Sequence, residues 1–248
     1  MAEIKAIFFD QDGVIVDTER DGHRVAFNET FKSFGFNFQW SVEEYHELLQ
    51  IAGGKERMSH YLHTKGFNKT INPAEEEQLI KEMHKAKTSK FIELIESGKL
   101  PLRSGIKRLM KEANQSGVLV GICTTSDEKA AKAISNKYLS DINFAFILAG
   151  DVVDKKKPDP AIYLLALQKS RFKPDECVVI EDSRNGVLAA KAAGICTVVT
   201  TNPYTEKEDL SGADIILTSL GDPEGEKGKL VHSIRPFTFD GVLHLQQI

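Results

Sequence analysis

The chain is sparing with the residues that staple, anchor or broadly charge a protein. It has three cysteines in 248 residues, Cys123, Cys177 and Cys196. All three lie in apolar runs and none forms a Cys-x-x-Cys pair. That points to reduced core thiols in a cytosolic-type compartment, not to a disulfide framework. No apolar run approaches the ~18 residues of a membrane span, so no membrane partner is expected. Positive charge is not in excess: 32 Lys and Arg face 36 Asp and Glu, a net −4. A nucleic-acid partner would want a basic face. No signal-peptide pattern precedes the first strand pattern at Ile4. The expected location is the cytoplasm, or the plastid stroma if a transit peptide has been removed. No internal repeat or low-complexity tract interrupts the chain.

What is present is ordinary globular composition, 41% hydrophobic and 27% charged. A chain of this length buries a full core without staples, and a monomer is expected. Ile4–Phe9 is a short apolar run that ends at Asp10. Similar runs recur at Val118–Cys123, Phe144–Leu148, Cys177–Ile180, Ile195–Val199 and Ala213–Leu217. They are continuous rather than alternating, as strands buried on both faces of a parallel sheet read. Helical patterns at roughly 104–116, 127–139, 159–170 and 184–193 lie between them, with Gly117 and Gly194 where helices should end. The fold class expected is α/β, a Rossmann-like parallel sheet with right-handed crossovers. Residues 19–97 break the rhythm and read as helical throughout, with Glu75–Glu96 as one long polar helix. We expect a core of 1–18 and 98–248 with a helical cap of 19–97 inserted. After Gly221 the tail is rich in glycine and charge, then apolar again from Phe237, which suggests a segment docked on the core.

Ligands of an open parallel sheet bind beyond the carboxyl ends of its strands. After the first strand stands Asp10-Gln11-Asp12-Gly13, and after the second Thr124-Thr125-Ser126-Asp127. Lys155-Lys156-Lys157-Pro158 precedes a helix, and Glu181-Asp182-Ser183 ends the fourth strand. Each piece alone has an ordinary reading: a turn, a helix cap, a solvated face, an acidic helix start. Together they bring four carboxylates to one edge. Two like charges ~4 Å apart repel by about 4 kcal/mol even at an effective dielectric near 20. Such a cluster calls for a cation, and an all-oxygen set suits Mg²⁺. Phosphoryl transfer uses sites of this kind. An EF-hand is excluded, because Gly13 comes too early and a strand precedes the motif.

The string Phe8-Phe9-Asp10-Gln11-Asp12-Gly13-Val14-Ile15-Val16-Asp17-Thr18-Glu19 resembles the first motif of the haloacid dehalogenase superfamily, in its β-phosphoglucomutase-like branch. Thr124, Lys157 before Pro158, and Glu181-Asp182-Ser183 with Gly186 and Ala189–Gly194 resemble the second, third and fourth motifs in family order. Thr18–Arg24, Gly53-Gly54-Lys55-Glu56-Arg57-Met58 and Gly150–Pro160 look closest to CbbY-type xylulose-1,5-bisphosphate phosphatases. Gln11 fills a variable slot, and Arg184 stands where many relatives carry a small residue or proline.

The resemblance implies these roles. Asp10 is the nucleophile, and Asp12 is acid and then base. Thr124, Thr125 and Lys157 bind phosphate. Mg²⁺ is held by Asp10, the Asp12 main chain, Glu181 and Asp182. Glu19, His23, Lys55 and Arg57 read the substrate from the cap. The activity implied is hydrolysis of a phosphosugar, xylulose 1,5-bisphosphate first, through an aspartyl phosphate. A mutase of the β-phosphoglucomutase type would share every core residue. A phosphosugar-binding protein without catalysis is the non-enzyme alternative, though such proteins usually lack the nucleophile or acid. His60 and His63 tempt a metal reading but bring no third ligand.

Overall fold

Four consecutive apolar residues form β1 (Ala6–Phe9), and all four are buried. A strand covered on both faces belongs inside a sheet. The computed structural model describes residues 3–248 and places β1 at the sheet's centre. The other strands are β2 (Leu119–Cys123), β3 (Phe144–Leu148), β4 (Cys177–Glu181), β5 (Cys196–Thr200), β6 (Ile215–Leu217) and β7 (Leu230–Ser233). Their order is β3-β2-β1-β4-β5-β6-β7. Every neighbouring pair is parallel except β6 with β7. The order reverses beside β1, which makes the carboxyl end of β1 the switch point where an open sheet offers a crevice.

The chain divides into two compact units. One runs through Asp17 and resumes over Pro101–Ile248; the other is Thr18–Leu100. Residues 1 and 2 of the expected core lie outside the described residues.

Thr18–Leu100 is helical: α1 (Arg24–Ser33), α2 (Val42–Leu48), α3 (Gly54–Thr64) and α4 (Glu76–Glu96). Its core is aromatic, with Phe27, Phe31, Trp40, Tyr45 and Phe67 fully buried against Met58 and Met83. Such rings bury large areas and gain about 0.5–1.5 kcal/mol per well-arranged pair. A π-helical turn over Glu19–His23 leads into α1. π-turns are rare and often mark functional positions.

In the sheet unit the crossover helices are α5 (Ile106–Gln115), α6 (Glu128–Tyr138), α7 (Ala161–Ser170) and α8 (Arg184–Ala192). Ile106, Leu109, Met110 and Ala113 recur at helical spacing on α5 and all are buried. Ala6 and Phe8 point to one face and pack with Ile162 and Tyr163 of α7 and Ala189 and Ala190 of α8. Burying each larger side chain contributes about 1.5–3 kcal/mol. Asp127 and Ser183 cap α6 and α8 by accepting the N–H of Lys129 and Gly186. Gly117 and Gly194 follow their helices at φ +75 each, the left-handed conformation that ends a helix cheaply only in glycine.

β7 was not expected from the sequence. It is a short edge strand whose side chains are mostly exposed, so no apolar period announces it; backbone pairing with β6 makes it. The tail then docks with Val242 and Leu243 buried. The Arg108 side chain donates to the Leu243 carbonyl at 2.7 Å.

Candidate active site

β1 ends by delivering Asp10 to the switch point. The sheet ladder continues one residue further there, the Asp10 N–H donating to Ile180 at 2.9 Å. Asp10 is therefore fixed by the sheet itself. Glu181 and Asp182 follow at the end of neighbouring β4, and both are buried. One ligand atom from each of Asp10, Glu181 and Asp182 lies within 4.8 Å of the others.

Beyond Asp10 the chain turns tightly. The Gln11 carbonyl accepts the Ile15 N–H at 2.8 Å, and the Gly13 N–H donates to Val16 at 2.8 Å. Gly13 has φ +81, and a Cβ there would run into Asp182 and Asn202. Glycine is thus required twice over, for its conformation and for the close approach. This turn brings Asp12 back beside Ser126, whose Oγ donates to Asp12 Oδ2. Thr124 is buried at the end of β2, and its Oγ1 accepts the Ser126 N–H at 3.1 Å. Thr125 is half-buried next to it. Gln11 is fully buried, and among the described residues its amide has no hydrogen-bond partner.

Lys157 joins the carboxylates. Its Nζ donates to Asp10 Oδ1 at 2.5 Å, to Glu181 Oε1 at 2.6 Å and to the Cys123 carbonyl at 2.9 Å. Burial acts to lower the Lys157 ammonium, but Asp10 and Glu181 overcome it and hold the group charged, above its usual range. Glu181 also accepts from the Tyr163 hydroxyl at 2.5 Å and from the Asp182 N–H at 3.1 Å. Gly186 is obligatory beside it, since a Cβ would collide with the Glu181 carboxylate. Glu181 is thus the countercharge of Lys157 and also offers a ligand atom within 4.8 Å of those of Asp10 and Asp182.

Asp182 accepts from Asn202 Nδ2 at 2.7 Å. Asn202 is itself locked, its Oδ1 accepting the N–H of Tyr204 and Thr205. Burial pushes the Asp182 carboxyl well above the carboxylate range, Glu181 and Asp10 add to the rise, and Arg103 and Asn202 oppose it. Asp10 is raised the same way, by burial against the pull of Lys157, with Glu181 and Asp12 adding. One ammonium in contact does not neutralise three buried carboxylates. The oxygen-only donor set and the unmet negative charge fit a hard divalent cation.

In the helical unit the four expected substrate readers divide. Glu19 Oε2 accepts from the Tyr45 hydroxyl at 2.6 Å, and that hydroxyl accepts from Arg57 Nη1 at 3.2 Å. Arg57 Nε donates to the carbonyls of Leu48 and Ile51, at 3.1 and 2.8 Å. Arg57 therefore braces the turn between α2 and α3. The Nε edge of the guanidinium expected to read the substrate is thus spent on main chain. Lys55 starts α3 half-buried, two residues after Gly53. His23 is buried on the π-turn, and its Nδ1 lies 2.7 Å from Lys87 Nζ. Lys87 is buried too, with its Nζ over the rings of Phe27 and Phe91 at 4.7 and 5.0 Å.

Lys87, Tyr163, Ser126, Asn202 and Arg103 were not singled out from the sequence. Tyr163 and Asn202 look like core and turn residues there, and Lys87 lies in a polar helix. Only its placement at a buried position of α4 gave a signal: Ile80, Met83, Lys87, Phe91 and Ile95 fall at helical spacing.

A family model described as haloacid dehalogenase-like hydrolase matches residues 4–194. A CBBY-like protein of Arabidopsis thaliana is 48% identical over 226 residues, covering 90% of this chain and 71% of that protein. Protein CbbY of Cereibacter sphaeroides is 41% identical over 230 residues, covering 91% of this chain and 96% of that protein. The crystal structure of a CbbY mutant from Rhodobacter sphaeroides in complex with xylulose-(1,5)bisphosphate superposes with a TM-score of 0.80 at 40% identity, covering 87% of this chain and 94% of that one. Four motif segments gathered at one sheet edge, a model match across most of the chain and relatives at this identity leave one assignment: the chain belongs to the haloacid dehalogenase-like hydrolase family.

Proposed function

We propose that this protein is a Mg²⁺-dependent phosphatase that cleaves xylulose 1,5-bisphosphate through an aspartyl phosphate on Asp10. The observation that carries the mechanism is the buried trio of Asp10, Glu181 and Asp182 with Lys157 on Asp10 Oδ1. Lys157 occupies one oxygen of Asp10. The other accepts no hydrogen bond among the described residues and is the proposed attacking atom.

The reaction follows from the residues. An Asp10 oxygen attacks phosphorus, and the bond from phosphorus to the sugar oxygen breaks. Asp12 gives its proton to the departing sugar oxygen. Asp12, now a carboxylate steadied by Ser126, takes a proton from water; the water oxygen attacks phosphorus, and Asp10 leaves free of phosphate. Thr124 and Thr125 offer hydroxyls and Lys157 an ammonium to the non-bridging oxygens, where charge grows. Asp10, Glu181, Asp182 and the main-chain carbonyl of Asp12 would hold Mg²⁺. When bound, the ion neutralises charge on the phosphoryl group. Glu19, His23 and Lys55 are the proposed readers of the sugar and its second phosphate.

The substrate rests on likeness to proteins named CbbY, one of which is described with xylulose-(1,5)bisphosphate bound. The test is phosphate release from a panel of phosphosugars, with and without chelator. Xylulose 1,5-bisphosphate is expected to give the highest kcat/KM and the chelated enzyme none. Interconversion of glucose phosphates without phosphate release would replace the phosphatase by a mutase.

A further inference from the structure

Asp10 and Asp12 are two residues apart yet are held by different means. Asp10 sits in the sheet, with its N–H on β4. Asp12 lies past the last ladder bond, in a turn whose next residue is the conformationally free Gly13. Something besides the sheet must fix that turn, and the structure shows what does.

Arg103 is the third residue after the chain re-enters the sheet unit at Pro101. Its main-chain N–H donates to Ile15 at 2.9 Å, and Val16 bridges Leu102 antiparallel. Its side chain then reaches under the turn. Nη1 donates to the Gly13 carbonyl, to the Thr200 carbonyl at 3.2 Å and to Thr200 Oγ1 at 3.1 Å. Nη2 donates to the carbonyls of Thr201 at 2.5 Å and Thr218 at 3.1 Å. One planar fork thereby ties the Asp12 turn to the ends of β5 and β6. Its partners are main-chain carbonyls and one hydroxyl, positions that a sheet holds still.

We propose that Arg103 is a positioning residue for Asp12: by pinning the Gly13 carbonyl to β5 and β6 it sets where the acid–base carboxyl stands relative to Asp10. The inference rests on the reading of Asp12 as acid and then base. The alternative is a brace for the fold alone, which would affect both half-reactions alike. Arg103→Lys separates the two. Lysine keeps the charge but carries its donors on one atom and cannot span the same acceptors. p-Nitrophenyl phosphate separates the half-reactions, because nitrophenol leaves without a proton whereas hydrolysis of the aspartyl phosphate still needs the base.

In rapid mixing, Arg103→Lys should keep the nitrophenolate burst within about 3-fold of the unmodified enzyme while steady-state turnover falls about 10- to 100-fold, the scale of a ligand or carboxyl misplaced by an ångström. Thr200→Val removes one acceptor and should show the same pattern at about 2- to 10-fold, and it gives the reading if Arg103→Lys does not fold. Equal slowing of burst and steady state, or no slowing of either, overturns the proposal. Failure of the unmodified enzyme to release phosphate from any phosphosugar would strike the proposed function instead.

Discussion

The sheet edge and the helical unit hold their polar residues in opposite ways. At the edge, Asp10, Glu181 and Asp182 are placed by strand register: β1 pairs with β4, and the next residue of each strand is a carboxylate. Change one of these side chains and the backbone still points to the same spot. In the helical unit, Glu19, Tyr45 and Arg57 hold one another through hydrogen bonds across separations of 26 and 12 residues. His23 and Lys87 pair across 64. There, side chains position side chains. A strand-end motif thus translates directly into geometry, whereas a charged string on a helix can become either a ligand or a brace.

The largest effect should come from Asp10→Asn. The fold should survive, because the amide replaces a carboxylate at a position the ladder fixes, and melting should be retained. Turnover should fall at least about 1,000-fold, as for loss of a covalent nucleophile. Turnover within tenfold of the unmodified enzyme would remove Asp10 from that role.

Asp12→Ala comes next. General acid–base help is worth about 10²–10⁴-fold, and both half-reactions should lose it. Rapid-mixing kinetics with p-nitrophenyl phosphate isolates the second step. An unimpaired hydrolysis of the aspartyl phosphate would show that Asp12 is not the base.

A pair of substitutions in the helical unit sharpens the contrast. Lys55→Ala should cost kcat/KM for the bisphosphate about 10- to 150-fold more than for p-nitrophenyl phosphate, the value of a charge-assisted hydrogen bond to a second phosphate. Arg57→Ala should instead damage both substrates alike and lower the melting temperature, because its bonds to Leu48, Ile51 and Tyr45 brace α3. A selective loss for Arg57→Ala would restore it as a phosphate ligand.

The same division explains what could be read in advance. Continuous apolar runs marked β1 to β6, and glycines marked the helix ends, because both signals are local. Asp10, Thr124 and Asp182 were legible because each directly follows a strand, and Lys157 because it stands before Pro158 in a basic run that leads into a helix. Tyr163 was not: it reaches Glu181 from the first turn of α7, among apolar neighbours, through a contact that only packing creates. Lys87 was hidden for a related reason, its charge masking a core position. The bracing role of Arg57 was not legible, because its sequence neighbours, Lys55 and a Gly-Gly turn, say nothing of the carbonyls it meets. β7 was missed because an exposed edge strand carries no period.

The smallest effect tests the acidic cluster itself. Without metal, burial raises the carboxyls of Asp10 and Asp182 well above their ordinary range. The native state then binds more protons than the unfolded chain over the interval between the unfolded value, about 3.9, and the folded ones. By linkage, stability falls as pH rises through that interval, so chelated protein should melt lower at pH 8 than at pH 5. Mg²⁺ reverses the trend, since it binds the deprotonated carboxylates and only in the folded state. At 100 times its dissociation constant it adds about 2.7 kcal/mol, and a chain of this length gains about 2–4 °C per kcal/mol. The Mg²⁺-induced rise in melting temperature should therefore be several degrees at pH 8 and shrink toward pH 5. If the two units melt apart, only the transition of the sheet unit should move. Asp182→Asn should flatten the pH trend and abolish the Mg²⁺ shift. A shift equal at both pH values, or one carried by the helical transition, would mean that the ion binds elsewhere than among Asp10, Glu181 and Asp182.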